Sequence, residues 1–249
     1  MSRPAPLLRS AAALAVMELR LTSRRGENVL VTLVIPVAVL LFFATVGIVP
    51  GIAGRPVDFL LPGTLALGII ASGLVNLGIA TAYERSYGVL KRLGGSPLPR
   101  SGLVAAKIAS ILVLEIVQVV LLIAVATVVL GWQPSASASP ALLVGAVLLG
   151  TFAFAGLGLL MAGTLRAEAT LALANGLFLG FLMLGGIVLR IDHLPEPLAT
   201  LARVLPASAL TDIFRVALTG TGDVVGPIVV LVAWGLAAVG LSVRFFRWD

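Results

Sequence analysis

Six uncharged or nearly uncharged runs divide this sequence, at residues 29–49, 59–82, 108–130, 141–165, 169–189 and 224–243. A hydrocarbon layer needs about 20 consecutive apolar residues to be crossed by a helix, and a helix satisfies its own backbone polar groups there. The third run holds one carboxylate, Glu115, and the others hold no charged residue. Of the 249 residues, 59% are apolar and 11% charged, and the mean hydropathy is +1.14. One buried core in water cannot absorb that much apolar surface, so a soluble fold is excluded. The alternation of a membrane β-barrel is also missing. The expectation is an all-α polytopic membrane protein, a single domain over 1–249 with six transmembrane helices.

Composition removes most chemistry. There is no cysteine and one histidine, His193, so thiol, zinc and Ser-His-Asp sites lack their ingredients. The two lysines, Lys91 and Lys107, precede Arg92 and Ile108, so no Gly-Lys-Ser/Thr phosphate loop is present and this chain does not bind ATP by that route. No catalytic residue, metal ligand, bound cofactor or nucleic-acid partner is expected.

Charge sets the expected orientation. Thirteen of the 17 Lys and Arg fall on one face of a six-span arrangement, and four, Arg55, Arg190, Arg203 and Arg215, fall on the other. Lys and Arg collect on the cytoplasmic side, and an even span count puts both termini there.

Between the runs, three stretches carry pattern. In 7–25, Leu7, Leu14 and Leu21 share one helical stripe while Arg9, Arg20 and Arg24 share another, which predicts a helix lying in the membrane interface. Glu18 sits close to the apolar stripe and needs a partner. This helix is either a positive flank that fixes orientation or a docking element. In 190–223, Pro195, Pro197 and Pro206 cut two pieces too short to cross. Leu198, Leu201 and Leu205, then Leu210, Ile213, Phe214 and Ala217, have helical spacing. They predict a re-entrant or surface-lying helical hairpin over 194–220, with an ordinary amphipathic loop as the alternative. The third stretch, 83–107, predicts a helical extension over 84–93 stopped by Gly94-Gly95, then a turn forced by Pro97 and Pro99 before the next helix begins near Gly102. It either presents a short helix to a cytoplasmic partner or holds five positive charges against anionic lipid.

Within the runs, Pro36 frees a backbone carbonyl that lipid cannot satisfy, so a neighbouring helix must. Glu115 and Gln118 share one face of the third run, and Asn76 and Asn175 lie in the second and fifth. Each either contacts substrate or a proton along a path, or forms a hydrogen bond between helices. Gly176-x3-Gly180, extended by Gly185-Gly186, permits close helix approach and a subunit interface. Gly220-Thr221-Gly222-Asp223 has the Gly-x-Gly-Asp pattern of intramembrane aspartyl proteases, but no span supplies the second aspartate that chemistry needs.

The run Glu84-x3-Gly88-x3-Arg92-Leu93-x3-Pro97-Leu98 resembles the cytoplasmic loop after the second span in type-2 ATP-binding-cassette exporter permeases. Met17-Glu18-Leu19-Arg20 with Arg24 and Arg25, mid-span Pro36, Phe59-Leu60-Leu61-Pro62-Gly63, and Leu194-Pro195 through Thr211-Asp212-Ile213-Phe214-Arg215 support it in order along nearly the whole chain. Each is weak alone, and the ordered set is specific. Val89 departs from the family's frequent Thr.

The resemblance implies the permease half of an exporter of hydrophobic drug-like or lipid-like substrates, multidrug efflux included. A second permease copy or paralogue would complete it in a bacterial plasma membrane. Two separate ATPase subunits would bind ATP and Mg. Glu84, Gly88, Arg92, Leu93 and Pro97 would form the coupling element, with Glu18 and Arg20 as a second contact. An ion- or proton-coupled secondary transporter should show several intramembrane charges and an internal repeat, and this sequence has Glu115 alone and no repeat. A membrane enzyme and a non-transporting assembly or sensor subunit are the remaining alternatives.

Overall fold

The computed structural model describes residues 7–24, 26–46, 55–94 and 99–247. Among them every regular element is helical: α1 Leu7–Arg24, α2 Gly26–Val46, α3 Pro56–Ser86, α4 Val89–Gly94, α5 Arg100–Val128, α6 Pro140–Thr164, α7 Ala167–Leu184, α8 Glu196–Arg203, α9 Pro206–Thr219 and α10 Val225–Phe245. Helices α3, α5, α6, α7 and α10 are long and apolar enough to cross a membrane, which makes this a multi-pass membrane protein. The first predicted run corresponds to α2, whose apolar stretch Thr32–Val46 is shorter, and its predicted end at 47–49 lies outside the described residues.

Helix α3 is the axis of the bundle and the most buried span, packed by α2, α5, α6 and α9. Its middle, Ala71–Leu77, is a π-helix, a wider turn that recurs at functional positions. Helices α3 and α6 approach to backbone contact. A Cβ on Gly78 would lie 3.0 Å from Gly158 Cα, and one on Gly73 would lie 2.8 Å from Ala155 N. These two glycines let α3 and α6 meet, while a Cβ on Gly176 or Gly180 of α7 would meet nothing within 4 Å.

Three sequence expectations change. The extension over 84–93 is interrupted: α3 ends at Ser86, and Gly88 at φ +73° turns the chain before α4. Only glycine adopts that backbone freely, so Tyr87-Gly88 is a hinge-like corner between two helices. The fifth run is helical only to Leu184, because Gly185 and Gly186, the latter at φ +67°, stop it. Its remainder packs as irregular chain, with the Ile187 backbone against Gly63 of α3.

The 194–220 hairpin, expected as re-entrant or surface-lying, forms as two helices, and α9 departs from the second of those forms. Leu210, Ile213, Phe214 and Ala217 are buried against α3, α6 and α10. In α8 the leucine stripe points outward instead: Leu198 and Leu201 are exposed, and Ala199 and Ala202 face the protein. Small side chains let α8 sit close, and the Trp234 indole of α10 donates to the Val204 carbonyl at its end, 2.9 Å away.

Candidate functional site

At the face that carries α1, four elements meet. Leu90 of α4, Leu14 of α1, Leu103 and Ala106 of α5, and Phe246 form one buried apolar cluster. Beside it Lys107, 1% exposed, donates to Glu18 Oε1 at 2.8 Å and to Glu84 Oε2 at 2.7 Å. One ammonium thus ties α1, α3 and α5 together. Two carboxylates around one buried cation offset its desolvation, which an unpaired lysine could not tolerate.

Sequence reasoning counts Lys107 as a loop charge and misses this role. The signal is present: Lys107 sits in Gly102-Leu-Val-Ala-Ala-Lys-Ile-Ala, where every neighbour is apolar or small. Glu18, which needs a partner on its apolar stripe, finds it here.

Above this knot α4 is held by Leu90, fully buried, while Tyr87 is 76% exposed and Val89, Lys91 and Arg92 are exposed. The side chains of Tyr83 and Tyr87 lie 6.0 Å apart between ring centres. Arg20 on α1 is also exposed. The result is a short helix with an anchored inner side and a cationic outer side, preceded by an exposed aromatic corner at Tyr87. Pro97 and the side chain of Leu93 lie outside the described residues.

Midway through the bundle the polar residues of three helices meet. Pro36 has no N–H, which leaves the carbonyl four residues earlier, that of Thr32, without its helical donor. Gln118 Nε2 of α5 donates to that carbonyl at 3.0 Å. Gln118 Oε1 accepts from Ser72 at 3.3 Å, and Asn76 Nδ2 donates to the Thr32 hydroxyl at 2.8 Å. Ser72 and Asn76 both lie in the π segment of α3. Gln118 lies over Gly68, where a Cβ would fall 2.6 Å from its amide nitrogen.

Glu115 is fully buried and meets the Thr151 hydroxyl of α6, which also lies 2.7 Å from its own Val147 carbonyl. That hydroxyl donates to the carboxyl, whose other oxygen, Oε1, has no hydrogen-bond partner among the described residues. Glutamine keeps the size of the side chain and an oxygen for that hydroxyl. Glu115→Gln is therefore expected to leave the detergent unfolding temperature within about 2 °C of the parent, whereas Glu115→Ala should lower it clearly by opening a cavity of several atoms. Equal losses in both variants would contradict this role.

The amide predicted in the fifth run, Asn175, is set apart from the others. It is exposed on α7 and donates to the Leu171 carbonyl of its own helix at 2.9 Å. Leu171, Leu173, Leu179 and Met183 are exposed on the same helix as Gly176. The structure thus brings Gln118 and Asn76 together, joins Glu115 to α6 through Thr151, and separates Asn175 from all three.

At the opposite face, Arg215 of α9 donates to Asp212 Oδ1 at 2.7 Å and to the Gly186 carbonyl at 3.2 Å, and stacks over Phe59 at 5.3 Å. Burial pushes the Asp212 carboxyl above its usual range, with Arg215 partly offsetting, and burial also lowers the Arg215 guanidinium. His193 is exposed on a single turn, and no group of metal-ligating side chains occurs among the described residues.

A search of curated proteins finds no match. A family description does: that of the ABC-2 type transporter matches residues 10–219, a span running from α1 through α9. With that coverage and this multi-pass helical fold, the chain belongs to the ABC-2 type transporter family and is an ABC transporter permease subunit.

Proposed function

We propose that this permease works as half of an ATP-driven exporter, with both termini cytoplasmic and α4 as the surface on which a separate ATPase subunit docks. The observation that carries the reading is the construction of α4 and the corner before it: Leu90 of α4 is fully buried, while Lys91 and Arg92 of α4 and Tyr87 of the corner are exposed. A helix anchored in this way moves as one body with what it touches. A push on it reaches α1 and α5 through Leu14 and Leu103, and Lys107 ties both to the end of α3.

Two such ATPase subunits, which would hold ATP and Mg, serve a pair of permeases. The exposed face of α7 around Gly176 and Gly180 has no cover within the subunit and suits a second copy or a paralogue. The path between them would be apolar, which suits a hydrophobic drug-like or lipid-like substrate. Closure of the nucleotide-bound ATPase pair would tilt α3 and α5 through α4 and switch the path from inward to outward.

The test is a mild-detergent pull-down of the tagged permease from its native host. A Walker-type ATPase is expected to co-purify at about one per permease, and Arg92→Glu, which reverses an exposed charge outside the fold's core, is expected to reduce its recovery at least tenfold while the permease stays folded. Recovery of the permease with no ATPase would overturn the reading and favour an ion- or proton-coupled secondary transporter.

A further inference from the structure

Arg55, Arg190, Arg203 and Arg215, the four cations that the six-run arrangement assigns to the face opposite α1, all line one cavity of about 400 Å³. They come from four places in the chain: the start of α3, the turn after α7, the end of α8 and the middle of α9. Like charges gathered in one hollow repel unless something of opposite sign is there.

Two of the four are answered by carboxylates. Arg215 pairs with Asp212 at 2.7 Å and Arg190 with Asp192 at 3.3 Å. The other two have no carboxylate within ion-pair distance among the described residues. Arg55 is positioned but not neutralised: its Nη2 donates to the Leu130 carbonyl at 3.1 Å and the Gly131 carbonyl at 2.8 Å. A guanidinium has five N–H donors, so donors remain. Arg203 is exposed as the last residue of α8. Asp58, also lining the cavity, is the one carboxylate there without a cation partner among the described residues. After internal pairing the cavity keeps two positive charges against one negative.

We propose that this cavity binds the phosphate group of an amphiphile, with Arg55 and Arg203 as its anion-binding residues. Planar guanidinium donors match phosphate oxygens, and the carbonyl clamp on Arg55 holds one of them ready. Phe59 and Ile191 supply apolar wall in the same cavity, and the outward leucines Leu198 and Leu201 lie on the helix that ends in Arg203. A headgroup can therefore sit in the cavity while its chain stays in lipid. The site goes beyond the exporter reading and holds whatever drives transport.

The experiment titrates the purified full chain in neutral detergent with short-chain phosphatidylglycerol and, separately, with inorganic phosphate. Saturable lipid binding is expected, weakened about tenfold or more by Arg203→Gln and by Arg55→Gln, and unchanged by Arg166→Gln on the other face. Asp58→Asn should tighten binding, because it removes a like charge beside the phosphate. Arg203 is exposed, so its substitution tests the site even if Arg55→Gln unfolds the end of α5. Phosphate that binds weakly or not at all beside tight lipid would identify a headgroup as the occupant, and inorganic phosphate binding as tightly as the lipid would replace it with a free anion. No saturable lipid binding, or lipid binding that survives both Arg203→Gln and Arg55→Gln unchanged, would overturn the proposal.

Discussion

Lys107→Ala is expected to lower the folding stability by about 3–5 kcal/mol, the range for removing one partner of a buried ion pair. Lys107 is 1% exposed, and Glu18 and Glu84 are 13% and 19% exposed, so neither carboxylate can swing fully into water once the ammonium is gone. Two like charges would then face each other across an empty site. The loss should be read as a fall in unfolding temperature in detergent, with α1 the first element to become protease-accessible, since Lys107 is its charged tether. Replacing all three together, Lys107→Met with Glu18→Gln and Glu84→Gln, should recover most of the loss because no buried charge is left unpaired. A Lys107→Ala protein within about 1 kcal/mol of the parent would show the triad to behave as an exposed ion pair. Transport is the separate readout: the triple variant is expected to fold but to transmit motion from α4 poorly.

The second large effect is a coupling between Pro36 and Gln118. Gln118→Leu strands the Thr32 carbonyl in the apolar interior, a loss of about 1–3 kcal/mol for an unsatisfied buried acceptor. In a Pro36→Ala background the alanine N–H can bond that same carbonyl through the helix, so the Gln118→Leu loss should shrink by about 1 kcal/mol or more. The double-mutant cycle, measured by equilibrium unfolding in mixed micelles, should give a coupling clearly different from zero. Additive losses would mean that Gln118 is held by Ser72 alone and that the Thr32 carbonyl finds another donor.

These two sites also show how much was legible before the fold was known. That Pro36 would orphan a carbonyl follows from covalent structure alone, and so does the need for a helix neighbour to meet it in lipid. That the neighbour is Gln118 does not follow, because the choice depends on how α5 is rotated and how closely it approaches at Gly68. Glu18 was legible as a carboxylate in want of a partner, and Lys107 as a cation among apolar residues, but nothing local joins residues so far apart in the chain. The corner at Gly88 was also hidden. The pattern Glu84 to Leu93 reads as one continuous helix, and only the turn at φ +73° shows where the chain leaves it.

The outward leucines of α8 carry the same lesson in reverse. In water the leucine stripe of a helix would face the core; in α8 the small residues Ala199 and Ala202 pack against the protein instead. Hydropathy by itself determined the class of this protein and its apolar runs, because transfer free energy sums residue by residue along a helix. Tertiary structure alone decided the pairing of Lys107 with two glutamates, the burial of α9 and the gathering of four arginines around one cavity. Those depend on contacts between distant segments, whose strength appears only when packing has removed the water between them.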